Sequence, residues 1–106
     1  MKTVCVRYQV KPEFADENQR LVEQVFAQLA REEPAGLRYQ SYRLADGVSF
    51  MHIASRDGTD GGPLETLESF KAFVAGIKDR CVQAPVQVDM VAVGRYDGPG
   101  VPATPA

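Results

Sequence analysis

One histidine, His52, stands among the few side chains of this sequence able to do chemistry, with Arg7 upstream, Tyr39 and Tyr42 in the preceding apolar run, and Phe50 and Phe73 nearby in aromatic positions. An imidazole with its ordinary pKa of about 6.5 suits a general base at neutral pH. An arginine can stabilise the anion that such a base creates, and tyrosines can donate to an oxygen or line an aromatic slot. His52 and Arg7 are therefore the candidate catalytic pair, and Tyr39, Tyr42, Phe50 and Phe73 the candidate substrate contacts. Each also has a structural reading. A lone strand histidine can be a hydrogen-bonded core residue, Arg7 can pair with Asp89 or with a carboxylate across a dimer, and tyrosines are ordinary strand residues.

Other chemistries find little to use. Cys5 and Cys81 have neither CxxC nor metal-ligand spacing and read as buried thiols, so no metal is expected. Lys11-Pro12-Glu13, ahead of the first helix, is not a phosphate-cradling glycine loop. A formal charge of −2 with singly scattered Lys and Arg argues against nucleic acid. The N-terminal segment lacks the apolar core and cleavage site of a secretory signal, and no apolar run approaches membrane-spanning length, so a cytoplasmic protein is expected.

The elements that must hold these residues follow from the hydrophobic period, which runs two, 3.6, two, two, 3.6, two along the chain. Val4, Val6, Tyr8 and Val10 alternate along a first strand and mark its helix-covered face. Pro12 opens a helix with Phe14, Leu21, Val22, Val25, Phe26 and Leu29 on its apolar side, ended by Pro34 and Gly36. Leu37–Leu44 and Val48–Ser55 form a hairpin through Ala45-Asp46-Gly47. After a glycine-rich loop, Pro63 opens a second helix carrying Leu67, Phe70, Val74, Ile77 and Cys81, which Ala84-Pro85 stops. Val86–Tyr96 is the last strand. Residues 97–106, rich in proline and glycine, are expected to be a disordered tail beyond a single domain over residues 1–96. The Gly58–Gly62 cluster reads as a connector, or as a lid on a pocket.

Strand, helix, strand, strand, helix, strand specifies a ferredoxin-like α+β domain, βαββαβ, with a four-stranded antiparallel sheet and two helices on one face. The crossover argument takes the two central strands as parallel and gives the spatial order 4-1-3-2. Alternation then assigns Cys5, Arg7 and Gln9 to the uncovered face, with Phe50, His52 and Ala54 beside them on the third strand. A one-residue slip would exchange His52 for Met51 and Ile53. So apolar a face is expected to be covered by a second copy, sheet against sheet, in a homodimer.

Gly36-Leu37-Arg38-Tyr39, the Ala45-Asp46-Gly47 turn and Phe50-Met51-His52-Ile53-Ala54 resemble the antibiotic biosynthesis monooxygenase-like family of dimeric α/β barrels, over nearly all of residues 1–96. The resemblance implies that two sheets close into a barrel in the dimer, each with a pocket. It also implies oxidation of phenols, anthrones or quinols by molecular oxygen without metal or flavin. Many members carry Glu and Trp at the end of the third strand and a His in the second helix. This chain has Ala54-Ser55-Arg56 and Phe70-Lys71-Ala72-Phe73 there, and the missing helical histidine weakens a haem-degrading role. Phenol oxidation needs a base, a group that stabilises the phenolate, and a dry pocket. His52 and Arg7 would fill the first two roles. The alternative is a non-catalytic homodimeric module that binds a small hydrophobic or aromatic molecule.

Overall fold

A computed structural model describes residues 2–57 and 63–101, so the Gly58–Gly62 segment and the tail beyond residue 101 lie outside the described residues. The first strand, β1 (Lys2–Val10), leads through a turn of 3-10 helix at Pro12–Phe14 into α1 (Ala15–Glu32). Proline suits that entry because the first helical N–H groups have no partner to lose. Glu33 takes a left-handed conformation (φ 48°) and its N–H bonds the Leu29 carbonyl, which ends the helix.

The hairpin of β2 (Leu37–Arg43) and β3 (Ser49–Arg56) is held by its turn. One carboxylate oxygen of Asp46 accepts the Val48 and Ser49 N–H groups at 2.9 and 2.8 Å, and Gly47 sits at φ 78°. Those same bonds hold the Asp46 carboxyl below its ordinary range, with the Ser49 hydroxyl the largest contributor.

The second helical region is shorter than its periodicity suggests. A 3-10 turn at Pro63–Thr66 is followed by α2 (Glu68–Ala75) and α3 (Ile77–Arg80), and the chain then turns directly into β4 (Cys81–Met90). Cys81 therefore opens a strand instead of closing a helix, and Pro85 lies inside that strand. An edge position allows this, because the missing N–H can face away from the ladder. The register against β1 also steps, from Arg7↔Val86 to Gln9↔Gln83, which leaves Ala84 and Pro85 together opposite Tyr8. Residues 91–96 continue past the end of the sheet without strand pairing, leaving Val91, Val93 and Tyr96 exposed.

The sheet order is β2-β3-β1-β4, with every neighbouring pair antiparallel, including the central strands β1 and β3. The expected spatial order holds, and the central pair is antiparallel where the crossover argument had it parallel. The core lies between the sheet and the helices and includes Val4, Tyr8, Val10, Val22, Val25, Phe50, Leu67 and Phe73. No helix among the described residues is long and apolar enough to cross a membrane.

Candidate functional site

Pairing register decides where His52 points. Val6 stands opposite His52, Tyr8 opposite Phe50, and Val4 opposite Ala54, so these six share a face, and it is the face the helices cover. On the other side of the hairpin Ser41 opposes His52 and Tyr39 opposes Ala54, which brings both onto that face. The expectation that His52 shares the uncovered face with Arg7 is thus reversed. Arg7 opposes Met51 and lies on the uncovered side together with Tyr42, which is also opposite Met51. No slip or bulge in β3 is involved, since its register against β1 is continuous from Lys2 to Gln9. Asp89, opposite Val4, lies across the sheet from Arg7, and no pair forms between them.

His52 is buried to 4% exposure in a stack of aromatic rings. Tyr8 and Tyr39 lie nearly parallel to it, at centroid distances of 5.3 and 5.9 Å, and Phe73 meets it edge-on at 5.5 Å. Its Nε2 is 2.7 Å from the Tyr8 hydroxyl. Its Nδ1 faces the Ser41 hydroxyl at 2.5 Å and the Tyr39 hydroxyl at 3.1 Å. Burial without a carboxylate partner pushes the imidazole down to about 4, so it is neutral at physiological pH. Burial also pushes the Tyr39 phenol up to about 12, and raises Tyr8 against the opposing effect of its Asn18 hydrogen bond.

Behind Tyr8 the polar contacts run on into the helical layer. Asn18, fully buried on α1, donates from Nδ2 to the Tyr8 oxygen at 2.9 Å and accepts at Oδ1 from Arg80 Nε at 3.2 Å. Arg80, itself buried, also donates to the Phe73 carbonyl at 2.7 Å. A guanidinium has donors only, so Arg80 sets the orientation of the Asn18 amide. The Tyr8 oxygen then accepts from Asn18, and its own proton is left to bond His52 Nε2. That ordering puts the imidazole hydrogen on Nδ1, facing Ser41 and Tyr39. Among the described residues no buried side-chain polar atom lacks a partner.

His52, Tyr8, Tyr39 and Phe73 line one cavity of about 210 Å³ between the sheet and the second helical region. Its walls are otherwise mostly apolar, including Val4, Val6, Ala54, Leu64, Phe70 and Val74, with Arg56 and Glu65 also on its lining. Of the six residues singled out by type, the structure brings His52, Tyr39 and Phe73 together here. Phe50 is buried against Tyr8, with ring centroids 5.7 Å apart, and does not line this cavity. Arg7 and Tyr42 are on the far side of the sheet.

Tyr8, Ser41, Asn18, Arg80 and Arg56 were not singled out by type. Asn18 had a legible signal, because with Phe14, Val22 and Val25 it falls on the apolar stripe of α1, where a polar residue needs a buried partner. The two cysteines are free thiols.

Neither a protein-family model nor a curated protein matches the sequence. Solved structures do. One described as an antibiotic biosynthesis monooxygenase is 26% identical, covers 89% of this chain and 100% of its own, and superposes with a TM-score of 0.67. SnoaB, a cofactor-independent oxygenase from Streptomyces nogalater, is 17% identical over 92% of this chain and 97% of its own, with a TM-score of 0.66. A Pseudomonas aeruginosa protein is 18% identical over 88% and 94% of the two chains, with a TM-score of 0.70. At 17 and 18% identity the last two speak for the fold alone. In fold, strand order and likeness to these structures, the chain belongs to the antibiotic biosynthesis monooxygenase-like family.

Proposed function

We propose that this protein is a cofactor-independent monooxygenase that oxidises a small aromatic hydroxyl or quinol-type compound with molecular oxygen. The observation that carries the reading is a buried, neutral histidine at the wall of an aromatic-lined cavity, joined through Tyr8 to the space a ligand would occupy. A phenol reacts with oxygen mainly as its anion, so the first step is proton removal. The substrate hydroxyl gives its proton to the Tyr8 oxygen as Tyr8 passes its own to His52 Nε2. The result is a phenolate beside an imidazolium, with no net charge created in a low-dielectric site. The phenolate then supplies electrons to oxygen. One oxygen atom becomes a new carbonyl on the ring, and the other leaves as water with the two hydrogens that the substrate loses.

The small cavity favours a small substrate. At about 210 Å³ it falls below the ~300–1,000 Å³ usual for drug-sized ligands, which suits one or two fused rings. Its apolar wall supplies the dryness that the phenolate needs. Arg7 has no place in this scheme, and stabilisation of the anion falls to the hydroxyls of Tyr8 and Tyr39.

The protein acts as a homodimer in this reading. The uncovered sheet face carries exposed Val86, Val88 and Tyr42, too apolar a surface for a stable monomer of this size. Two free thiols agree with a cytoplasmic location.

One observation favours the second reading, a non-catalytic module that binds a hydrophobic molecule. Both imidazole nitrogens already have protein partners, as a structural histidine would. Turnover under ¹⁸O₂ separates the two. A monooxygenase places one labelled atom in the product and the other in water, whereas a binding module leaves every aromatic hydroxyl unlabelled.

A further inference from the structure

The geometry points to an acidic substrate: the cavity takes a small aromatic hydroxy acid, whose carboxylate replaces that of Glu65 on the Arg56 guanidinium. This rests on the reading of the cavity as the substrate site.

Arg56 and His52 lie on β3 four residues apart and on the same face, as the pairings Lys2↔Arg56 and Val6↔His52 show. At roughly 3.3 Å per residue their backbones are about 13 Å apart, a span that suits a one- or two-ring aromatic with a hydroxyl at one end and an acid at the other. Both line the cavity, and the wall between them is apolar, with Val4, Val6, Ala54 and Phe73. The cavity is therefore polar at two ends and greasy in the middle. One end offers neutral hydroxyl and imidazole groups, and the other offers a cation.

The cation is deeply set and its anionic partner is not. The Arg56 side chain is 16% exposed, whereas that of Glu65 is 57% exposed, and the two meet at a long 3.5 Å. An ion pair with one solvated member is worth about 0–1 kcal/mol, so exchanging Glu65 for another carboxylate costs little. A ligand carboxylate entering from the apolar side can meet the planar guanidinium with both oxygens, which is the stronger arrangement. Glu65 is the only carboxylate on the cavity lining among the described residues. Its displacement leaves one cation facing one bound anion.

Equilibrium binding to the full chain under anaerobic conditions tests this, comparing 6-hydroxy-2-naphthoate with 2-naphthol by calorimetry or probe fluorescence. The acid is expected to bind about tenfold more tightly, as a charge-assisted pair predicts. Arg56→Gln should erase the preference while leaving 2-naphthol affinity within about twofold. Glu65→Gln, a change at an exposed side chain that should fold normally, should tighten binding of the acid several-fold and leave 2-naphthol unchanged, because the competing carboxylate is gone. A merely structural Arg56–Glu65 brace predicts the opposite, equal or weaker binding of both compounds in Glu65→Gln, and that result would overturn the proposal. Equal affinity for the two compounds in the unaltered protein would also overturn it while leaving the cavity as the substrate site. If neither compound binds, the cavity is not that site and both readings fall.

Discussion

Tyr8 on β1 and His52 on β3 are joined twice, by rings stacked 5.3 Å apart at 13° and by a 2.7 Å hydrogen bond between the Tyr8 hydroxyl and Nε2. They are not directly paired in the sheet, since Tyr8 stands opposite Phe50 and His52 opposite Val6. The diagonal relation lets an aromatic ring reach across to the neighbouring position, as same-face neighbours on adjacent strands can. It gives the site a hydroxyl that communicates with the imidazole while remaining on the cavity wall.

The first consequence concerns stability against pH. His52 has a folded pKa near 4 and an ordinary unfolded value of 6.5, so the unfolded chain takes up the proton first. Stability is complete above pH 6.5 and declines as the pH falls toward 4, by up to about 3 kcal/mol from a shift of some 2.5 units. Denaturant unfolding at pH 7.5 and 4.5 should show a larger loss in the unaltered protein than in His52→Gln. Equal losses would mean that His52 is not a buried neutral group.

Activity should follow the same pKa. With His52 as proton acceptor, kcat/KM should stay level from pH 8 to about 5 and fall only as the imidazole is protonated near 4. A pH-rate midpoint at the ordinary histidine value, near 6.5, would contradict the buried environment described for this residue.

Tyr8→Phe keeps the ring stack and removes the hydroxyl that joins Asn18 to His52. One buried donor and one buried acceptor then lose their partner, at a cost of about 1–3 kcal/mol in chemical unfolding. Oxygen consumption should fall much further than the folded fraction does, because the proton path passes through that oxygen. A variant with full turnover would remove Tyr8 from the mechanism.

Phe73 packs on Tyr8, His52 and Phe70 and lies under the Arg80 guanidinium, whose carbon is 5.6 Å from the ring centroid. Replacing it with Ala opens the core on several sides, and a loss of about 3–5 kcal/mol is expected by denaturant titration. A loss below 1 kcal/mol would show that the helices close over the gap.

A dimer formed through the uncovered face should come apart when that face is charged. Val86 and Val88 are 62% and 49% exposed, opposite Arg7 and Cys5 respectively. Light scattering should give twice the 11.6 kDa chain mass for the unaltered protein and the chain mass for Val86→Asp combined with Val88→Asp. An unaltered protein that remains a monomer at micromolar concentration would rule out the sheet-to-sheet assembly.

The order of elements was legible because the hydrophobic period switches cleanly and Asp46-Gly47 marks its turn. The facing of β3 was not. Phe50, His52 and Ala54 alternate with Met51, Ile53 and Ser55, so both faces are largely apolar and alternation alone cannot say which is inside. The answer comes from the partner strand, where the register places His52 beside Val6 on the covered face. The start of β4 was hidden for another reason. Cys81 continues the helical spacing of Leu67, Phe70, Val74 and Ile77, and Pro85 reads as a helix stop, whereas an edge strand tolerates it. Arg80 and Arg56 carry no mark of burial in the sequence, since an arginine is most often a surface residue.

The central claim is that His52 receives the substrate proton, and oxygen uptake tests it most directly. Purified protein, without added metal or flavin, is given a panel of anthrones, naphthols and quinols beside His52→Ala, with circular dichroism and light scattering confirming that the variant keeps its fold and assembly. The account predicts uptake with at least one compound and none above background in the variant. Uptake that survives the loss of His52 would contradict it.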